Sequence, residues 1–251
     1  MKPIALITGA TSGIGEATAR VLAEKFYLII CGRRKERLDK LSKELRVKTD
    51  VSTLSFDVRD RTAVEKSIQS LPDRWKDIDV LINNAGNAHG LGRIHENDPD
   101  DWDAMIDINV KGLLYVSKAV LPTMVKRMSG HIINIGSVAG IDVYPRGNVY
   151  NASKFAVNAL TQGMRQDLLP YGIKVSEIKP GLVNTEFSEV RFKGDKEKAE
   201  KVYQGFDPLK ARDVAETILF MVTRPAHVNI ADLLILPAAQ ATSTMVEKNQ
   251  E

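Results

Sequence analysis

This chain of 251 residues is short of several things, and each shortage closes a class of function. It has one cysteine, Cys31, which excludes an internal disulfide and any multi-cysteine metal site. A lone cysteine agrees with a reducing compartment, so a soluble, cytoplasmic protein is expected. His89, His95, His131 and His227 lack metal-ligand spacing, and no metal is expected. Neither sign of charge dominates: 35 Lys and Arg against 32 Asp and Glu leave a net +3, which gives no reason to expect a nucleic-acid partner. No apolar run approaches the ~18 residues of a membrane helix, and no membrane partner is expected. The apolar start, Ile4 to Ile7, is shorter than the ~7–15-residue core of a signal peptide and is read as a strand. A Gly-x-Ser-x-Gly elbow and a Gly-Lys-Ser/Thr phosphate loop are also missing.

What is present is an ordinary globular composition, 43% hydrophobic and 27% charged, with enough apolar side chains for a real core. Short apolar runs alternate with segments of helical period. The runs are Ile4–Ile7, Tyr27–Cys31, Thr53–Phe56, Val80–Ile82, His131–Ile135, Val175–Ile178 and Leu233–Leu236. Helices are expected near 13–25, 35–45, 60–71, 101–128, 149–169 and 213–222. Such alternation predicts an α/β fold with a parallel sheet covered on both faces. No linker divides the chain, so 1–251 is read as a single domain. Residues from about 185 to 206 are polar and rich in Lys and Glu, and read either as a solvated helix or as a substrate lid. The tail from Thr242 is expected to be frayed.

The first strand runs into Thr8-Gly9-Ala10-Thr11-Ser12-Gly13-Ile14-Gly15. Glycine suits a backbone that turns sharply and lies against a ligand, and the amides opening the next helix suit a pyrophosphate. A strand before and a helix after give the motif its meaning. The second strand ends without the carboxylate that would bind the ribose of NAD; it reads Gly32-Arg33-Arg34-Lys35. Two guanidiniums suit a 2′-phosphate, hence NADP; the alternative is a solvated basic corner. Asp57 is either an acceptor for the adenine amino group or a cap for the helix near Asp60.

Tyr150 and Lys154 are four apart in a helical segment and share one face. An ammonium beside a phenol favours the phenolate, and a tyrosine so tuned exchanges a proton with a substrate oxygen. Ser137, at the end of the fifth strand, either holds that oxygen or caps a turn. Asn109 inside the long helix points to a kink or a backbone role. Glu96, Asp98, Asp100, Asp101 and Asp103 read as helix N-terminal charge, and Cys31 as inert core.

Taken in order, Thr8-Gly9 with Gly13-x-Gly15, Asn83-Asn84-Ala85-Gly86, Asn109, Ser137, Tyr150-x-x-x-Lys154 and Pro180-Gly181 resemble the short-chain dehydrogenase/reductase family. The resemblance implies a Rossmann-type, doubly wound, seven-stranded parallel sheet and a homotetramer. It implies a tetrad in which Tyr150 is the acid/base, Ser137 orients the reacting oxygen, and Lys154 binds the nicotinamide ribose and lowers the tyrosine pKa. Asn109 supports a water leading to Lys154. Gly9, Ala10, Thr11, Ser12, Gly13, Ile14, Arg33, Arg34, Asp57, Val58, Asn84, Tyr150, Lys154, Pro180, Gly181, Val183 and Thr185 are then the NADP-binding residues.

A narrower likeness runs through Gly147-Asn148-Val149-Tyr150, Pro180 to Ser188, Val190 to Asp195, and Pro225 to Ile230. These segments resemble the NADP-dependent 3-hydroxy acid dehydrogenases, a branch that acts on serine, allo-threonine and malonic semialdehyde. Its close relatives include sulfoacetaldehyde reductases. Arg146 stands where that branch usually has a small residue. It reads either as a solvated loop arginine or as an anion-binding group; Arg146, Arg191 or backbone amides of the lid are the candidates to hold a substrate anion beside Ser137 and Tyr150. A reductase of carrier-bound 3-oxoacyl thioesters is the alternative enzyme; against it, the last strand runs into Pro237-Ala238-Ala239 in place of Asp-Gly-Gly. A non-catalytic NADP-binding module is disfavoured because Tyr150 and Lys154 are both kept.

Overall fold

The computed structural model describes residues 2–249. Strands and helices alternate: β1 (Ile4–Ile7), α1 (Gly13–Leu22), β2 (Tyr27–Gly32), α2 (Lys35–Leu45), β3 (Val51–Ser55), α3 (Arg61–Gln69), α4 (Asp73–Lys76) and β4 (Val80–Asn83). After α5 (Pro99–Ile106), a π-helical turn (Asp107–Lys111) leads into α6 (Gly112–Arg127). The chain continues through β5 (Gly130–Ile135), α7 (Asn148–Leu168), β6 (Ile173–Pro180), β7 (Val183–Asn184), α8 (Phe187–Arg191) and α9 (Lys196–Lys201). It closes with β8 (Leu209–Lys210), α10 (Ala211–Val222) and β9 (Asp232–Ile235).

Seven strands form one sheet in the order β3-β2-β1-β4-β5-β6-β9, every pair parallel. The expected doubly wound α/β architecture is present. The apolar runs lack alternation because both sheet faces are covered. On β1, Ala5 and Ile7 face a layer holding Ala19 and Leu22 of α1, Leu38 and Leu41 of α2, and Val214 and Ile218 of α10. Ile4 and Leu6 face the other layer, with Val64 and Ile68 of α3, Val116 and Val120 of α6, and Leu168 of α7. Cys31 is buried in that second layer, as its run predicts.

The expected long helix runs unbroken from Pro99 to Arg127, with a π-helical turn around Asn109 that inserts a wider ring and re-aims that side chain. Two expectations change. The cap of α3 is Asp60, whose carboxylate accepts the Ala63 N–H at 3.0 Å, and not Asp57. The tail is held rather than frayed as far as Asn249. The Ser243 N–H donates to Asp142 at 2.7 Å, Gln240 bridges to Val246, and the Asn249 N–H donates to the Gly205 carbonyl at 2.7 Å. Its last two residues lie outside the described residues. Among the described residues, no helix is long and apolar enough to cross a membrane, and no cluster of His, Cys, Asp or Glu could hold a metal ion.

Candidate active site

A cavity of about 490 Å³ opens at the carboxyl ends of the strands, where the sheet order turns back between β1 and β4. Its floor begins with the glycine turn. Gly9 and Gly13 have φ of +65° and +55°, where a side chain is disfavoured. Gly15 is demanded by space: a Cβ there would sit 2.5 Å from the Gly9 carbonyl oxygen. Asn84 fastens this turn to β4. Its amide donates to the carbonyls of Thr8 at 2.9 Å and Gly9 at 3.2 Å, while the Thr8 hydroxyl accepts the Asn84 and Ala85 N–H groups. Gly9, Thr11, Ser12, Gly13 and Ile14 line the cavity, and Ala10 lies behind them in the core. A side-chain-free cradle facing a helix N-terminus fits the phosphates of a dinucleotide.

The basic corner is only partly open. Arg33 has a side chain 61% exposed and lies 3.7 Å from Asp57. Arg34 reaches back to the Thr11 hydroxyl and carbonyl and the Ser12 hydroxyl, and pairs with Glu186 at 3.0 Å. Arg37 pairs with the other Glu186 oxygen at 2.7 Å. Asp57 and Val58 line the cavity beside them. Burial pushes the Asp57 carboxyl upward, but the Arg59 N–H and guanidinium that it accepts outweigh this and hold it below the usual carboxylate range. Pro180, Gly181, Val183 and Thr185 form the opposite wall.

At the far end, Tyr150 and Lys154 both face the cavity from α7, one helical turn apart. They are 8% and 7% exposed. Ser137 ends β5 at the start of a 3₁₀ turn, Val138–Gly140, and its hydroxyl accepts the Ala139 N–H at 3.1 Å while facing the Tyr150 phenol. Capping and facing the reacting end are thus both met by one side chain. Asn109 sits outside the cavity wall. Its carbonyl oxygen accepts the Asn87 N–H at 2.8 Å, and its amide donates to the Asn87 carbonyl and the Ser153 hydroxyl. Gly86 lies between Asn109 and Lys154: a Cβ on it would be 3.0 Å from Asn109 Oδ1 and 3.8 Å from Lys154 Nζ.

The electrostatics correct one expectation. The net effect on Tyr150 is upward, because burial outweighs the opposing influence of Arg191 and the Ser137 hydroxyl. Lys154 does not lower it here. Its ammonium donates to the Ile135 carbonyl at 2.9 Å, and burial pushes it down to about 8. Arg191 and Lys154 both lie over the phenol ring: the Arg191 guanidinium carbon is 4.8 Å and the Lys154 ammonium 5.9 Å from its centre. Arg191 also stacks on Tyr144 and Phe187 and donates to the Tyr144 hydroxyl at 2.5 Å; its Nε is buried without a partner among the described residues. Arg146 is corrected as well: it is exposed, has φ of +67° and does not line the cavity. The left-handed backbone, a conformation that suits small residues, turns its side chain outward.

Several lining residues carry no site role in the sequence motifs, among them Tyr144, Phe187, Gln240 and Ser243. Tyr144 and Phe187 flank Tyr150, and Gln240 and Ser243 come from the tail. Gln240 Oε1 accepts the Leu182 N–H at 2.9 Å and lies where a Cβ on Gly181 would be, 2.3 Å away. Only the aromatic character of Tyr144 and Phe187, close in sequence to motif residues, was a signal.

The short chain dehydrogenase family model matches residues 3–196. The chain is 49% identical over 240 residues to the NADP-dependent 3-hydroxy acid dehydrogenase YdfG of Salmonella typhi, covering 95% of this chain and 96% of that protein. It is 45% identical to sulfoacetaldehyde reductase 2 of Chromohalobacter salexigens, covering 97% of each. The closed form of a serine dehydrogenase complexed with NADP+ superposes with a TM-score of 0.92 at 46% identity, covering 98% of this chain and 100% of that one. Site geometry, fold and kinship agree, and the chain belongs to the short-chain dehydrogenase family.

Proposed function

We propose that this protein is an NADP-dependent oxidoreductase that oxidises a short 3-hydroxy acid, of the serine, allo-threonine or 3-hydroxypropionate type, or reduces the matching semialdehyde. The observation that carries the choice of an acid is Arg191: a guanidinium 4.8 Å from the Tyr150 ring, with a buried Nε that has no partner among the described residues. A carboxylate held there leaves the neighbouring hydroxyl within reach of the phenol. The glycine turn would hold the pyrophosphate, and Arg33 with Arg34 the 2′-phosphate. When bound, the nicotinamide supplies the hydride chemistry. Tyr150 exchanges the proton at the substrate oxygen, Ser137 orients that oxygen, and Lys154 supplies positive charge beside the ribose and the phenol. Asn109 keeps the backbone behind Lys154 in place.

Residues 185–206 act as a lid, a role supported by Phe187 and Arg191 lying against Tyr150. Assembly as a homotetramer is part of the reading, supported by the exposed Phe155 and Ile141 around an open groove beside Gly163; light scattering checks it. The test of substrate class is an absorbance assay of NADP-linked turnover across serine, allo-threonine, 3-hydroxypropionate, isethionate and a neutral alcohol. Arg191→Ala is expected to raise KM for the acids roughly tenfold to a hundredfold, the worth of a charge-assisted bond, and to spare the neutral alcohol. A preference for isethionate assigns the sulfonate reading instead. Efficient turnover of the neutral alcohol alone overturns the choice of an acid.

A further inference from the structure

Behind the cavity floor lies a charge that the reaction above does not use. Glu177 of β6 is 1% exposed, and Lys179, on the same sheet face, is 2% exposed. The Lys179 ammonium lies 3.3 Å from Glu177 Oε2 and bonds to Asp232 of β9, whose side chain is half exposed. The other carboxylate oxygen, Oε1, has no hydrogen-bond partner among the described residues. It packs on Gly136, where a Cβ would come within 2.0 Å of it. The neighbours of Gly136 are Ile135, whose carbonyl takes the Lys154 ammonium at 2.9 Å, and Ser137. One peptide unit therefore separates an orphaned, buried carboxylate oxygen from the partner of Lys154.

Burying a carboxylate is costly, and apolar residues of similar size replace buried ion pairs without loss of stability in many folds. Packing alone does not account for this charge. We propose that Glu177 is a positioning residue, a buried carboxylate that acts across the Ile135–Gly136 peptide to keep Lys154 in its ammonium form. The proposal rests on the role given to Lys154 above.

The charged groups around Glu177 are Lys154 of α7, Lys179 of its own strand and Asp232 of β9. Arg165 of α7 lies further along, held by the carbonyls of Val175 and Ala231. From β5 the neighbours are the neutral Asn134 and Gly136. Burial lowers Lys154 to about 8, and the Glu177 charge opposes that fall. Burial raises Glu177 to about 7 against the pull of Lys179, below the value of Lys154, so the carboxylate is charged over the upper part of the range in which Lys154 loses its proton. Removing the carboxylate must then move the Lys154 midpoint to lower pH.

The experiment is an NMR titration of lysine labelled with ¹³C at Cε, with the Lys154 signal identified by its loss in Lys154→Arg. In Glu177→Gln the Lys154 midpoint is expected to fall by about one pH unit, a tenfold change in its protonation equilibrium. The kcat for hydroxy acid oxidation is expected to fall several-fold between the new and old midpoints. If the single variant does not fold, Glu177→Gln is made in a Lys179→Met background, and the same fall is expected relative to Lys179→Met alone. A midpoint that stays in place overturns the proposal, whatever the activity. A midpoint that moves while kcat keeps the wild-type pH profile supports the charge effect and overturns the role of Lys154 in the reaction.

Discussion

Tyr150 illustrates how burial and chemistry pull against each other on a single side chain. At 8% exposure its phenol resists ionisation, and it is opposed by a guanidinium above the ring and a hydroxyl beside it. A general acid–base contributes about 10²–10⁴-fold, and Tyr150→Phe is expected to lose that much in kcat while the protein still quenches its fluorescence on binding NADPH. Retained turnover contradicts the mechanism. Arg33 and Arg34 carry a second expectation. Replacing both with alanine is expected to raise KM for NADP by roughly tenfold or more, from lost charge-assisted bonds to phosphate, and to change KM for NAD far less. Equal changes for the two coenzymes contradict a 2′-phosphate clamp.

Among the elements, the π turn Asp107–Lys111 has the clearest consequence. It aims Asn109 at the Asn87 backbone, where the side chain accepts the N–H and donates to the carbonyl in part-buried bonds. Asn109→Ala removes both bonds, at about 0.5–1.5 kcal/mol each, and a lowered Tm with reduced kcat is expected. An unchanged melting curve contradicts this accounting. The helix–strand order was legible because apolar runs and helical periods follow directly from two-sided burial. The glycine turn and the Tyr150–Lys154 pair were legible because their chemistry depends on short spacing. The π turn was legible only as an irregularity at Asn109, since periodicity sees the apolar face of 101–128 but not one widened ring within it. Arg191 was named as a candidate at the site, but its stacking on Tyr150 was not legible, nor was the orphaned oxygen of Glu177; both are set by packing between distant segments. Arg146 misled because residue type carries no sign of a left-handed backbone.

At the scale of the whole molecule, the reversal of strand order between β1 and β4 opens the cleft, and segments distant in sequence complete it. The tail is one: Ser243 ties to Asp142 just after the turn that carries Ser137, and Gln240 to the wall at Leu182. The stretch Glu186–Phe187 is another, and it joins the two ends of the cleft. Glu186 is shared between Arg34 and Arg37, while the next residue leans on Tyr150 with ring centres 5.7 Å apart. On the reading proposed above, a phosphate taken by Arg34 would compete with that glutamate, which keeps Arg37 as a partner, and the adjacency of Glu186 to Phe187 would favour binding of coenzyme before substrate. Product-inhibition patterns are expected to show NADP+ and NADPH competing with each other alone, and a random-order pattern would show that the two ends move independently.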